Sequence, residues 1–429
     1  MTDDSRIPCV PFERFQTAES GARAFAFRPG EVLVVAEAAE EAARLLGDVK
    51  VDLRLKTVAR LVGVDDPLNA VSLLAGKGIK GAVNHVFMGD VLAFGSPATF
   101  GNPATFGNPA TFGNPATFGN PATFGNPATF GNPAFSSASP AGEPAEWLPS
   151  ACHDKSAPVV VILDTGIADD PGHPWLGGVL FDKKNDPQDV FPSDVDAPDE
   201  DQDGYLERIA GHGTFIAGIV RSICPSSTIL AQKVLFGFGD GDDYTIALGI
   251  EDALVRIQKV PGAERIDLLN LSLSGYSAAD EPPLAVESTI ANLQAGGTVV
   301  VASAGNSASC RKTWPASLPG VISVAALDCS RPAWFSNFGP WVRACAPGVD
   351  VVSTFFAFAE PEREPGIPGL NFEGWASWSG TSFAAPRVAA AIAKEMVFSG
   401  ISAQQAAHAL IDAPGLFRIP ELGTVVNVV

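Results

Sequence analysis

The residue with the clearest chemical meaning ends an apolar run. In "VVVILDTGI", Asp164 is followed at once by Thr165 and Gly166. Two chemistries use an aspartate in this setting. In one, two Asp-Thr-Gly carboxyls share a proton and activate water. In the other, a single carboxylate orients a histidine that serves a nucleophilic serine. The chain holds no second Asp-Thr-Gly or Asp-Ser-Gly, so the first chemistry would need a second copy of the chain. The second chemistry predicts a histidine and a serine at helix starts, and both are present. His212 lies between glycines in "AGHGTFIAGIVRSI". Ser382 follows Gly380 and Thr381 in "WSGTSFAAPRVAAAIAKEM". Pro386 is expected in the first turn of that helix, where a missing N–H costs little. A fourth residue, Asn306, closes the apolar run of "VVVASAGNSA". An amide donor at a strand end can stabilise an oxyanion.

These four residues need a scaffold that brings strand ends and helix starts together. Residues 158–429 supply the pattern. Strand-like runs at Val159–Leu163, Thr228–Leu235, Ile266–Leu273, Thr298–Ser303 and Val321–Ala326 alternate with helix-like runs at 213–223, 245–258, 284–295, 383–397 and 402–412. This alternation predicts an α/β domain with a mainly parallel sheet covered by helices. Functional residues in such sheets sit at the carboxyl ends of strands, where Asp164 falls. Residues 1–95 read as a small α+β domain with no catalytic constellation. Residues 96–157 contain six copies of "PATFGN" and a truncated "PAF", which read either as a linker or as a small ordered solenoid or binding tract. Proline and glycine at every sixth position exclude a regular helix or a central strand there.

The motifs "ILDTGI", "GHGTFIAGIV", "NLSLSG", "ASAGNSA", "WPASLPGVISVAA", "WFSNFGPWVRACAPG" and "SGTSFAAPRVAA" follow one another in order. In these the chain resembles the subtilisin-like serine proteases, the subtilase family, over roughly residues 158–395. The resemblance implies a three-layer catalytic domain and a serine endopeptidase. Ser382 would attack the scissile carbonyl, His212 would relay the proton, and Asp164 would hold the imidazole. Asn306 and the Ser382 backbone N–H would form the oxyanion hole. Ser272, Leu273, Ser274 and Gly275 would form a substrate-binding edge that pairs with an extended peptide. The family usually has glycine where Ser274 stands. The second edge would lie near "FGFGDGDDY", where Asp240, Asp242 and Asp243 read either as a solvated loop or as a preference for basic substrate residues. The alternative function is a silenced protease scaffold that serves as a binding or regulatory module.

No cofactor is required by this chemistry. A long acidic insertion separates Asp164 from His212. Its "DEDQDGY" places Asp199, Asp201 and Asp203 at alternate positions before Gly204, the start of an EF-hand-like calcium loop. Ala210 stands where that loop would carry glutamate. The segment reads either as a calcium site or as a solvated loop. Residues 25–95 compare with the propeptides of the family, which implies that residues 1–95 act in cis as a chaperone or inhibitor, with cleavage in or after the repeat; the other reading is a permanent partner-binding domain. A net charge of −20 argues against nucleic-acid binding. No apolar run reaches membrane-spanning length. "MTDDSRIPCVPFERF" lacks the apolar core of a secretory signal, so the expected location is cytoplasmic. The expected partner is a polypeptide substrate. Cysteines at 9, 152, 224, 310, 329 and 345 lack zinc-site spacing. Buried thiols are the expectation, against a disulfide among Cys310, Cys329 and Cys345.

Overall fold

Alternation in "EVLVV" sorts its side chains onto two faces of one strand. In the computed structural model this run is the second half of strand β2 (Arg23–Val35). Residues 15–20, 23–89, 134–135 and 157–427 are described, apart from 170–172, 174, 184–190, 192, 264 and 363–368. The complete PATFGN copies, Cys9 and Cys152 lie outside the described residues. β2 is the centre of an antiparallel unit with β1 (Gln16–Ser20), β3 (Lys50–Asp52), β4 (Val58–Val62) and β5 (Gly81–Gly89), in which β4 and β5 flank β2. Helices α1 (Ala39–Leu46) and α2 (Pro67–Gly76) complete it. The Asp66 carboxylate accepts from Asn69 N at 3.1 Å and caps α2, with Pro67 at its first position.

Val32 and Val34 bury into the core of this unit with Ala42, Leu61 and Leu74. Leu33 faces the other way. It joins Leu55, Val58 and Phe87 in the core of the following domain. The N-terminal unit is therefore docked through its second apolar face. A bend at residues 55–57 separates β3 from β4.

The larger domain is built on seven parallel strands among the described residues. They are β6 (Val159–Asp164), β7 (Thr228–Lys233), β9 (Leu268–Leu271), β11 (Val299–Ser303), β12 (Ile322–Asp328), β13 (Ala344–Pro347) and β16 (Gly423–Val425). Their order across the sheet is β7-β6-β9-β11-β12-β13-β16, and every neighbouring pair is parallel. β6 is apolar on both faces and wholly buried, as a strand covered on both sides must be. Short strands β8 (Asp240–Asp242) and β10 (Leu273–Ser274) lie outside this sheet. A hairpin of β14 (Val351–Ala359) and β15 (Asn371–Trp378) packs against helix α3 (His212–Ile223).

Helices α4 (Asp243–Ile257) and α5 (Leu284–Ala295) pack together, and α6 (Thr381–Ser399) lies against α3 and across β11, β12 and β13. Alanines at 384, 385, 389 and 390 are fully buried, so small side chains let α6 sit close to the sheet. Among the described residues, no helix is long and apolar enough to cross a membrane.

Two expectations are corrected here. Pro386 is the sixth residue of α6 and lies inside the helix, not in its first turn. The described cysteines are free thiols, and they divide by environment. Cys224 and Cys345 are buried, whereas Cys310 and Cys329 are exposed.

Candidate active site

Asp164 ends β6, and His212 begins α3. The two are 48 residues apart in sequence, yet Asp164 Oδ1 and His212 Nδ1 are 2.7 Å apart. Close backbone approach makes this distance attainable. A Cβ on Gly213 would lie 2.2 Å from the Gly166 carbonyl oxygen, so only glycine lets the helix start come so near the strand end. The Asp164 Oδ1 also accepts from Thr165 N at 2.8 Å. Asp164 and His212 are both buried. With Nδ1 committed to the carboxylate, His212 Nε2 is the nitrogen free to accept a proton, and it has no hydrogen-bond partner among the described residues. The imidazole rests edge-on to Trp378, and its centroid is 5.4 Å from that of Phe383, the residue after Ser382.

Ser382 is the second residue of α6. Gly380 caps that helix without a side-chain hydrogen bond. The first N–H groups of a helix have no carbonyl partner within it, so the Ser382 N–H is aimed outward with the positive end of the helix dipole. The Ser382 hydroxyl donates to the Ser272 carbonyl at 3.2 Å, not to His212. In return the Ser272 hydroxyl donates to the Ser382 carbonyl at 2.8 Å. Pro386 explains the return bond. It sits four residues after Ser382 and has no N–H, so the Ser382 carbonyl has lost its helical partner. Asn270 Nδ2 supports the Ser272 hydroxyl at 2.9 Å.

Asn306 follows β11. Its Oδ1 accepts from Thr381 N at 3.0 Å and Thr381 Oγ1 at 2.9 Å. These two bonds assign the oxygen end of the amide to α6. The other end of the amide, Nδ2, is the donor end that the oxyanion role read from sequence would use. The structure thus brings Asp164 and Asn306 to the carboxyl ends of β6 and β11, and His212 and Ser382 to the helix starts of α3 and α6.

The edge read from sequence as substrate-binding is already paired. β10, with Leu273 and Ser274, runs antiparallel to Gly89 and Met88 of β5. On the other side, Met88, Phe87 and Val86 pair with Asp240, Gly241 and Asp242 of β8. The N-terminal unit thereby places a strand between the two edges. The Ser274 hydroxyl lies 3.2 Å from where a Cβ on Gly305 would be. Gly275 bonds reciprocally with Trp314 at 3.0 Å in each direction. The acidic residues of the second edge have partners. Arg28 donates to Asp240 at 2.8 Å and to Asp242 at 2.9 Å in a buried cluster. Asp243 points elsewhere: its carboxylate accepts from Ala285 N and Val286 N at the start of α5.

The acidic insertion gathers a different trio from the one read in sequence. Asp199, Asp201 and Glu207 offer oxygens within 4.8 Å of one another. Asp203 is not among them. Its backbone N–H donates to Asp199 and Asp201, and its carboxylate accepts from Tyr205 N.

One contributor was missed in sequence. Asp196 is buried and accepts from Thr165 Oγ1 at 2.6 Å and from Gly211 N at 2.9 Å. Thr165 Oγ1 in turn accepts from Gly213 N at 3.0 Å. Asp196 therefore ties the residue after Asp164 to the residue before His212. Burial pushes its carboxyl up to about 7, against the pull of Lys233 and Thr165. It lies among many acidic residues of the insertion, and no local pattern marks it out.

The profile of the subtilase family matches residues 155–414. The chain belongs to the subtilase family. Over 241 residues this subtilase is 34% identical to the thermophilic serine proteinase of Bacillus sp. strain AK1, covering 54% of the present chain and 50% of that protein. Over 244 residues it is 32% identical to subtilisin Savinase of Lederbergia lenta, covering 54% and 74% respectively. It thus spans about half the length of the first of these relatives. Its fold matches that of fervidolysin from Fervidobacterium pennivorans, with a TM-score of 0.59 at 20% identity, over 94% of this chain and 60% of that one. A protease of Pseudoalteromonas arctica PAMC 21717 gives a TM-score of 0.50 at 23% identity, over 66% and 91%.

The buried Asp196 yields a pH prediction. Asp196→Asn, made in a Ser382→Ala background to stop self-digestion, keeps an acceptor for both donors. The native carboxyl binds its proton more tightly folded than unfolded. It therefore withdraws stability as pH rises from the ordinary carboxylate range, near ~4, to about 7. The stability of the Asn variant relative to its parent should climb across that window and level off above it. Chemical denaturation at a series of pH values checks this, and a difference independent of pH contradicts it.

Proposed function

We propose that this subtilase is a serine endopeptidase acting on polypeptides, and that its N-terminal unit restrains it in cis. The observation that carries the reading is the 2.7 Å Asp164–His212 contact beside Ser382 at the head of α6. A substrate strand enters between β8 and β10 and presents its carbonyl to Ser382. The hydroxyl leaves the Ser272 carbonyl, attacks, and gives its proton to His212 Nε2. Asp164 holds the ring in the tautomer that accepts it and stabilises the imidazolium. Asn306 Nδ2 and the Ser382 N–H take the oxyanion, where one donor is worth on the order of 10²–10³ in kcat. His212 then protonates the leaving amine, and water releases the acyl group by the reverse route.

The restraint rests on β5, which follows the path a substrate strand would take. Gly89 lies beside the catalytic histidine, with its Cβ position 3.8 Å from His212 Nδ1. Arg28, Asp240 and Asp242 hold the unit at the second edge. Thr57 with Ser288 and Arg311 with Ala24 add polar contacts. A fluorophosphonate probe tests both halves of this reading. The full chain should be labelled slowly and Ser382→Ala not at all. Arg28→Ala strands two buried carboxylates and should speed labelling at least ~10-fold. No labelling of either Ser382-bearing chain, at any pH or temperature short of unfolding, would favour a silenced scaffold.

Calcium belongs to the same proposal in a secondary place. Asp199, Asp201 and Glu207 would supply oxygen ligands at the insertion, remote in sequence from the nucleophile and with no catalytic step of its own. Millimolar calcium should then raise the melting temperature of Ser382→Ala relative to chelator. An unchanged melting temperature removes calcium from the proposal.

A further inference from the structure

The sequence of β5 ends in Gly89 for a reason that backbone conformation does not supply. Its φ is not in the left-handed region that favours glycine; the constraint is space. A Cβ at this position would lie 2.5 Å from Ile209 Cδ1, well inside the roughly 3.0 Å that real Cβ atoms keep. It would also lie 3.6 Å from Leu235 Cδ1. Ile209 is fully buried. Its backbone is fixed by the bond from its N–H to the Gly237 carbonyl at 2.8 Å and by the bond from His212 N to its own carbonyl at 3.1 Å. The side chain is also within 3.2 Å of where a Cβ on Gly239 would be. The Gly89 backbone cannot easily retreat, because its N–H donates to the Gly239 carbonyl at 2.9 Å while Leu273 pairs with it on the other side.

The register says which substrate residue this is. Leu273 pairs with Gly89 and Ser274 with Met88. One further antiparallel step brings a bound strand opposite Ser272, whose carbonyl accepts the Ser382 hydroxyl. A peptide following the path of β5 therefore offers its reacting carbonyl one residue beyond the Gly89 position. We propose that Ile209 is a specificity-determining residue that confines the substrate residue just before the cleaved one to glycine. The inference rests on the reading of β5 as lying in the substrate groove, and it adds a sequence requirement to that reading. The two walls differ in what they ask for. Phe87 is buried against Gly275, where a Cβ would come 3.0 Å from the Phe87 ring, so that site takes a large apolar side chain. The Gly89 site admits one only if Ile209 Cδ1 shifts.

Forcing an extra methyl into a packed wall costs on the order of ten- to a hundredfold in an equilibrium or rate. Ile209→Val tests the cause with little risk to folding, because it deletes the Cδ1 atom alone. Two quenched peptides carry residues 86–90, Val-Phe-Met-Gly-Asp, with Gly or Ala at the fourth place. The tethered strand competes equally with both, so the ratio of their kcat/KM values does not depend on how much groove it occupies. The wild-type full chain should prefer the Gly peptide at least ~10-fold, and Ile209→Val should reduce that to about threefold or less. Equal cleavage by wild type, or a preference untouched by Ile209→Val, overturns the proposal. A second arm needs no turnover. Gly89→Ala in the full chain should speed fluorophosphonate labelling at least ~10-fold, and adding Ile209→Val should slow it again. This arm decides when neither peptide is cleaved. Labelling of Gly89→Ala at the wild-type rate overturns the Ile209 role while leaving the protease reading intact. Absence of labelling in every Ser382-bearing chain overturns the protease reading and the Ile209 role together.

Discussion

The meeting of two backbones at Gly166 and Gly213 is the constraint on which the Asp164–His212 pair depends. A single added Cβ at Gly213 would stand 2.2 Å from a carbonyl oxygen that cannot swing aside. Without that approach, the His212 imidazole could not reach the Asp164 carboxylate at 2.7 Å. The same junction is cross-braced. Thr165 Oγ1 receives the Gly213 N–H and passes its own proton toward Asp196, which also holds Gly211. Strand end and helix start thus form one hydrogen-bonded block. The Asp–His pair is oriented by main chain and not by flexible side-chain contacts.

A second junction links Ser382 to the strand edge that pairs with β5. Pro386 deprives the Ser382 carbonyl of its helical donor, and the Ser272 hydroxyl replaces it. Ser272 is also the first residue of the substrate edge read from sequence. The position of Ser382 and the position of that edge are therefore coupled through two reciprocal hydrogen bonds. Such coupling favours a fixed distance between a bound strand and the attacking oxygen, which is what orientation catalysis requires.

Legibility followed the physical range of each signal. Asp164, His212, Ser382 and Asn306 were readable because each sits at a boundary between an apolar run and a glycine-rich turn, and such boundaries have local signatures. The parallel sheet was readable from strand and helix alternation. Pro386 was visible, but its helix begins at Thr381, so the orphaned carbonyl was not anticipated. The partner of β8 and β10 was not readable in detail. Strand addition is made by backbone groups, which carry no sequence signature, between segments more than 150 residues apart. Asp240 and Asp242 looked like a possible welcome for basic substrate residues; their cation is Arg28 of the same chain. The acidic insertion suggested an alternating trio. Its backbone turns instead use Asp203 as a local acceptor and draw in Glu207 from further along.

The orienting role of Asp164 can be measured directly through kcat on a peptide substrate for wild type and Asp164→Asn. Asparagine preserves the shape of the site but offers its hydrogen bonds to His212 in the wrong sense. A fall in kcat of about 10⁴, with an unchanged denaturation curve, is expected for a histidine held in its working tautomer by a buried carboxylate. Retention of kcat within about tenfold of wild type would contradict that role.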